Sequence, residues 1–319
     1  MSVFRNFFGM CSKSRSDFAK REYVLSFAIV FVLTVIIYLS LRFLQGINPV
    51  PGHQQQLITG SHIYHLDEPD ERHDLPGELE EISGLAFMKP NYLACINDEQ
   101  GVLFVYDPAM RTIVRRIAFG PDGDYEGVSI AGDTAYILKS NGQISMFNLV
   151  TINEKGTVLR YELSHLKRCN AEGLVYNPLL ERLLIACKEN PHKLGLKGDR
   201  VIYSFDPGNG ILDSLPWTLL RASEIERELG NFPVSKKNHR PVKPSGLAVH
   251  PVTAQLYVLA SVGKLLMILD GEGQLIQLVP LNYRLFRQPE GICFGPDGTL
   301  YVASEGRGGS GYILVFHAR

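Results

Sequence analysis

Short apolar runs separated by turn residues fill most of the chain after its N-terminal region. In the first unit, GLAF is followed by YLACIND, VLFVYD and IVRRIAF, with a tight turn at Gln100 and Gly101. Runs of this kind, rich in Val, Ile, Leu, Tyr and Phe and bounded by Gly, Asn and Asp, are typical of β-strands joined by hairpins. Helical periodicity is almost absent, so the pattern predicts an all-β domain of four-stranded antiparallel units.

The same unit recurs along the chain. Its copies begin EISGLAF, DYEGVSI, NAEGLVY, KPSGLAV and QPEGICF, with glycines at Gly84, Gly127, Gly173, Gly246 and Gly291. The intervals between these glycines are 43, 46, 73 and 45 residues. Three of the four intervals have the size of a propeller blade. The repeat therefore predicts a β-propeller of five four-stranded blades.

Two places depart from the regular repeat. The long interval predicts an insertion at about 213–243, where Ser223 and Glu226 have the spacing of a helix capping box. A degenerate sixth blade is the alternative. The last unit is one strand short, and the segment HIYHLDEP around Ile63 is expected to supply that strand and close the ring.

An uncharged apolar run from Tyr23 to Leu41 is long enough to cross a bilayer as a helix. Five basic residues precede this run and only Arg42 closely follows it, which places the N-terminus in the cytoplasm. We therefore expect a single-pass protein of a bacterial inner membrane. Its parts are a cytoplasmic segment (1–22), a transmembrane anchor (23–44), a linker (45–60) and a periplasmic propeller (61–319). A cleaved signal peptide is the alternative.

Charge and cysteine content add two expectations. The net charge is −1 for the whole chain and −5 beyond residue 44, so no nucleic-acid partner is expected. Cys95, Cys187 and Cys293 lie in apolar runs and are expected to be buried free thiols, although an oxidising compartment also permits them or Cys169 to pair.

The repeat resembles the SdiA-regulated family of bacterial membrane-anchored β-propellers. The similarity is strongest in PSGLAVHPVTAQLYVLASVGKLLMILDGEGQLI and QPEGICFGPDGTLYVASE, and it extends over about residues 60–319. The resemblance implies an N-terminal anchor, a periplasmic propeller and a link to calcium. It implies no defined biochemical activity.

In a propeller the first strand of each blade lines the central channel, so the residue before each repeated glycine is expected at the channel mouth. These residues are Ser83, Glu126, Glu172, Ser245 and Glu290. Carboxylates brought close together repel one another unless a cation or protons neutralise them, and calcium accepts six to eight oxygen ligands. We therefore predict a calcium site at Glu126, Glu172 and Glu290, completed by Asp98 or Asn97.

The ends of the second strands are expected on the same face, one layer farther out. They carry Lys139, Lys188, Glu189 and Glu305. The alternative to a metal site is that each mouth glutamate caps a strand start and pairs with Lys139 or Lys188. No nucleophile elbow, phosphate-binding loop or zinc motif occurs in the sequence.

Three functions are compatible with these features. The first is a calcium-binding module that senses or binds a small-molecule ligand or a periplasmic protein. The second is a metal-dependent hydrolase of the phytase-like or lactonase-like type. The third is a scaffold without a ligand.

Overall fold

The structure is a computed structural model, which describes residues 64–152, 156–190, 194–195, 197–230 and 242–319. The cytoplasmic segment, the membrane anchor and the linker expected from the sequence lie outside these residues. Within the described ranges, none of the helices has the length and apolar character needed to cross a membrane.

Five antiparallel sheets form the blades. The ring is closed by β1 (Glu71–Asp74). Blade 1 contains β2 (Ile82–Met88), β3 (Tyr92–Asn97), β4 (Val102–Asp107) and β5 (Thr112–Ala118). Blade 2 contains β6 (Tyr125–Ala131), β7 (Thr134–Lys139), β8 (Gln143–Asn148) and β9 (Leu159–Glu162). Blade 3 contains β10 (Ala171–Asn177), β11 (Arg182–Cys187), β12 (Arg200–Asp206), β13 (Ile211–Leu212) and β14 (Thr218–Leu220). Blade 4 contains β15 (Lys243–Val249), β16 (Leu256–Val262), β17 (Leu265–Leu269) and β18 (Leu275–Pro280). Blade 5 contains β19 (Pro289–Phe294), β20 (Leu300–Ser304) and β21 (Tyr312–Phe316).

The strands have long apolar runs because each blade is packed on both faces. Buried side chains form five clusters, each shared by two neighbouring blades. The cluster between blades 5 and 1, for example, joins Phe104 and Tyr106 to Ile313 and Val315. Five such contacts around a ring confirm the predicted five-bladed, all-β propeller.

The ring closes as expected in principle, but through a different segment. The fourth strand of blade 5 is β1, which pairs with β21 in the register Glu71↔Val315 to Asp74↔Tyr312. The segment around Ile63 is therefore the wrong choice, since the described part of it, from Tyr64 onward, forms turns and bends. The sequence ERHD shows no apolar alternation, and only His73 within it is buried.

The described residues of the long interval form no sixth blade. Its first part completes blade 3, whose outer edge is split between β13 and β14, both paired with β12. A short helix, α1 (Ala222–Leu229), follows. The predicted capping box is wrong, because the N-cap is Arg221 and makes no side-chain cap. Instead, Oδ1 of Asp199 accepts a hydrogen bond from the backbone N–H of Ala222 at 2.9 Å.

The cysteines differ in part from expectation. Cys95 and Cys293 are buried free thiols, as predicted. Cys187 is not, because it forms a disulfide with Cys169, with a Cα–Cα distance of 5.2 Å. This bond joins the residues just before β10 to the end of β11, next to Lys188.

Candidate functional site at the channel mouth

A bulge shapes the start of every inner strand. The ladder between the first and second strand of each blade shifts register at the residue before the repeated glycine. The residues at these shifts are Ser83, Glu126, Glu172, Ser245 and Glu290. A bulge adds one residue to a strand and re-aims its side chain. All five side chains line the mouth of the central channel, as the repeat predicted.

The repeated glycines let the inner strands approach one another closely. A Cβ atom at Gly127 would lie 2.8 Å from Leu174 Cβ of the next blade, and one at Gly246 would lie 2.6 Å from the carbonyl oxygen of Glu290. A Cβ atom at Gly291 would likewise lie 2.7 Å from Leu85 Cβ of blade 1. The close approach of inner strands therefore continues around the whole ring. No larger residue fits here without moving a strand, which explains why the repeat is marked by glycine.

This close approach almost closes the channel. The space between the inner strands at the mouth is about 10 Å³, which is about what one water molecule needs. Chemistry at this face is therefore confined to the mouth and its surroundings.

Lys188 and Glu172 form the central polar contact of the mouth. The lysine Nζ lies 2.7 Å from Glu172 Oε1, and the glutamate side chain is only 2 % exposed. The amide of Asn170 donates to the same oxygen at 2.9 Å. Burial alone would lower the pKa of Lys188, but its hydrogen bond to Glu172 and the nearby charges of Glu290 and Glu126 raise it. The alternative foreseen for this glutamate, a lysine partner, is therefore what the structure contains.

The other two mouth glutamates favour their protonated forms. Burial, together with repulsion from Glu172, raises the pKa of Glu126 to about 9. Burial and the same repulsion raise the pKa of Glu290 to about 8, opposed in part by Lys188 and by a hydrogen bond with Ser261. Burial also raises the pKa of Glu172, although its hydrogen bond with Lys188 opposes this shift. At neutral pH, Glu126 and Glu290 are therefore largely uncharged, and the Lys188 ammonium lies against Glu172.

A second acidic pair lies beside the mouth, on blades 1 and 5. Burial and the charge of Glu81 raise the pKa of Asp98, and its buried Oδ1 has no hydrogen-bond partner among the described residues. Burial and the charge of Asp98 raise the pKa of Glu305 to about 7. Asp98 and Glu305 therefore lie on the same face of the propeller as the channel mouth, as expected for the ends of second strands.

The remaining predicted residues have local roles. The amide of Asn97 donates to the carbonyl of Glu78, and its Oδ1 accepts from the N–H of Gln100. The ammonium of Lys139 lies 4.5 Å from the ring centroid of Tyr125. Glu189 is 47 % exposed and pairs with Lys243. None of these three side chains joins the mouth glutamates.

The carboxylates as they stand do not form a ready calcium site. Within the described ranges, no group of three or more His, Cys, Asp or Glu side chains is arranged to hold a metal ion. The ammonium of Lys188 already occupies the cationic position on Glu172. Calcium binding by Glu126, Glu172, Glu290 and Asp98 therefore stays a prediction, and it requires Lys188 to leave Glu172.

A cavity of about 700 Å³ adjoins the mouth and shares Lys188 and Glu290 with it. Its other walls come from the end of α1, the turn between β16 and β17, and the connection between β18 and β19. A volume of this size is usual for small-molecule sites.

The sequence pattern did not predict this cavity or its basic residues, Lys264, Arg287 and Arg307. One signal was available for Arg287, which precedes Glu290 by only three residues and so must lie near the mouth. Lys264 and Arg307 belong to turns whose proximity depends on how blades 4 and 5 pack. No local pattern marks them.

Comparison with known proteins agrees with the fold. Glutaminyl cyclase from Myxococcus xanthus has a TM-score of 0.52 at 12 % sequence identity, covering 78 % of this chain and 95 % of its own. A streptogramin B lyase has a TM-score of 0.45 at 12 % identity, covering 77 % of this chain and 97 % of its own. At 12 % identity, the similarity to the glutaminyl cyclase concerns the fold alone. No curated protein matches the sequence. The model of the SdiA-regulated family matches residues 64–307, and the chain therefore belongs to the SdiA-regulated family.

Proposed function

We propose that this protein is a periplasmic ligand-binding module, anchored in the inner membrane, that takes up a small molecule at the mouth face of its propeller. The observation that carries this proposal is the cavity of about 700 Å³ beside the channel mouth. Binding sites of small molecules are typically concave, mostly apolar and equipped with a few placed polar groups. Lys188 and Glu290 would couple an occupant of the cavity to the charges of the mouth.

The location has two kinds of support. The apolar run at 23–41 and the basic residues before it favour an anchor with a cytoplasmic N-terminus. The disulfide between Cys169 and Cys187 favours an oxidising compartment for the propeller, because disulfides are rare in the cytosol. A periplasm-dependent reporter fused after Arg319 should be active, and a mature N-terminus beyond residue 44 would contradict the anchor.

A matched pair of substitutions tests the cavity. Val262 lines it, whereas Val252 is 77 % exposed at the opposite end of the same hairpin. A compound that binds only the folded state at about a hundred times its Kd stabilises it by roughly 2.7 kcal/mol. In a thermal-shift screen of a small-molecule library, compounds should stabilise the wild type and Val252→Trp but not Val262→Trp. No stabilising compound, or an equal response of both variants, would overturn the proposal.

The second candidate is a hydrolase, supported by the raised pKa of Glu305, about 7, beside Asp98. A carboxyl group with a pKa near the working pH suits general acid–base catalysis. Assays with phosphoesters, esters and lactones, with and without calcium, should then show turnover that Glu305→Gln abolishes. Absence of turnover in every assay would remove this candidate.

A further inference from the structure

The cavity beside the channel mouth has an excess of positive charge. Four basic side chains line it: Lys188, Lys264, Arg287 and Arg307. Lys188 is neutralised by Glu172, whereas the guanidinium groups of Arg287 and Arg307 add two positive charges to the lining. The carboxyl group in the lining is Glu290, and its pKa of about 8 keeps it largely uncharged at neutral pH. An occupant with a negative charge would therefore be favoured.

The backbone that carries Arg287 is held by buried hydroxyl groups. The Tyr312 hydroxyl accepts a hydrogen bond from the N–H of Arg287 at 3.1 Å and donates to the carbonyl of Leu285 at 2.7 Å. Tyr312 is fully buried. The Lys264 ammonium donates to the carbonyl of Arg287 at 2.6 Å. The N–H and the carbonyl of Arg287 are thus both bound.

The next two residues are held in the same manner. The N–H of Gln288 donates to the hydroxyl of Ser304 at 2.9 Å, and the hydroxyl of Ser245 donates to the carbonyl of Pro289 at 2.8 Å. Both serines are buried. A wall whose backbone is fixed from the core presents its side chains in a defined geometry, which lowers the entropic cost of binding.

The rest of the lining is largely apolar. Leu229 at the end of α1, Val242, Leu265 and Leu281 contribute to it, and Tyr283, which is 66 % exposed, adds an aromatic ring. Within the described part of the chain, neither Arg287 nor Arg307 forms an ion pair. The cavity therefore combines an apolar wall with two guanidinium groups.

We propose that this cavity binds an amphipathic organic anion, with a carboxylate or phosphate group on Arg287 and Arg307 and an apolar body against Leu229, Leu281 and Tyr283. This inference rests on the proposed ligand-binding function and names the chemical class of the ligand. Guanidinium groups suit it because they bind carboxylates and phosphates through paired hydrogen bonds.

The test uses the full chain in nanodiscs of neutral lipid, with empty nanodiscs as the blank. Calorimetry would compare four soluble probes that share a phenyl group: phenylacetate, phenyl phosphate, neutral 2-phenylethanol and cationic 2-phenylethylamine. The two anions should bind saturably and more tightly than the other two probes. Arg287→Gln and Arg307→Gln should each weaken anion binding by roughly tenfold, because each removes a charged hydrogen bond.

Arg168→Gln is the matched control, because Arg168 is exposed and does not line the cavity. It should bind the anions as the wild type does. Equal effects of all three substitutions, or binding of 2-phenylethanol as tight as that of the anions, would overturn the proposed ligand class while leaving a ligand-binding module. If none of the four probes binds, the anion proposal fails, and the library screen with Val262→Trp decides the broader function separately.

Discussion

The ammonium group of Lys188 lies 2.7 Å from a glutamate oxygen, Glu172 Oε1, that is almost completely shielded from solvent. Lys188 is thus the counter-ion of Glu172, while Glu126 and Glu290 on two other blades stay largely uncharged at neutral pH. Removing one member of a buried pair costs more than the pair itself contributes, because the remaining charge has no compensation. The stability of the mouth should therefore depend strongly on this lysine.

Lys188→Met should destabilise the propeller by about 2–4 kcal/mol at neutral pH, somewhat less than for a fully buried pair because the lysine is 29 % exposed. Urea denaturation measures this loss. Lys243→Met is the control, since its partner Glu189 is 47 % exposed, and it should cost less than about 1 kcal/mol. An equal loss of unfolding free energy in the two variants would show that the Lys188–Glu172 pair contributes no more than an exposed ion pair.

Glu126→Gln should stabilise the protein at alkaline pH. The folded-state pKa of Glu126, about 9, lies above its unfolded value of 4.5. The folded state therefore binds more protons between these values, and its stability falls as the pH rises from about 5 to about 9. The variant should match the wild type near pH 5 and exceed it at pH 9 by about 1–2 kcal/mol, a figure reduced for partial solvent exposure.

The control for this pH profile is Glu189→Gln. Its hydrogen bond with Lys243 holds the pKa of Glu189 below its usual value, so the carboxylate favours folding when ionised. This variant should gain nothing at pH 9. A wild-type melting temperature that is unchanged between pH 6 and pH 9, with no advantage for Glu126→Gln, would contradict the raised pKa.

Calcium binding should be strengthened when Lys188 is removed. A calcium ion at the mouth glutamates competes with the lysine for Glu172, so Lys188→Met should take up calcium more tightly than the wild type. Magnesium should bind less well, because it requires a tighter octahedral geometry. Calorimetry measures both ions. A Lys188→Met/Glu172→Gln double variant is the control and should lose the added affinity, whereas absence of heat in every titration would end the calcium hypothesis.

Removing β1 should make the propeller aggregate. This strand covers the edge of β21, and an exposed edge invites pairing with other chains. A fragment of residues 75–319 should be aggregation-prone, and a fragment of 64–319 should be monomeric by light scattering. A fragment of 70–319 is the control, because it keeps β1 but lacks Tyr64, whose hydroxyl donates to the carbonyl of Gly298. A monomeric 75–319 fragment with an unchanged melting temperature would contradict the closure.

Loss of the disulfide between Cys169 and Cys187 should lower the stability of the propeller near the channel mouth. It closes a separation of 18 residues and ends next to Lys188. For a loop of this size, Cys169→Ser with Cys187→Ser should cost about 2–4 kcal/mol. Replacing the buried free thiol Cys95 with Ala is the control for removing a cysteine without breaking a crosslink. Peptide mapping under non-reducing conditions should find the pair joined, and two free thiols there would contradict it.

The local sequence pattern was enough to predict much of the fold. Gly127 and Gly246 were visible as repeat markers because inner strands at this distance leave no room for a Cβ atom. The same repeat located Glu126, Glu172 and Glu290, since a residue at one fixed place in every blade must point to one axis. The five bulges that aim these side chains were not visible, because a bulge depends on the partner strand.

The sequence by itself determined the all-β class, the blade-sized repeat and the convergence of three glutamates, since each follows from spacing within a repeat. The choice between five and six blades required the structure. Only the tertiary structure decided the partners of these groups. The pairing of β1 with β21 connects strands near the two ends of the domain. The sequence ERHD has no apolar alternation from which this strand could have been predicted. The basic cavity likewise depends on turns of blades 4 and 5 and on the end of α1, whose distances are set by packing between the elements.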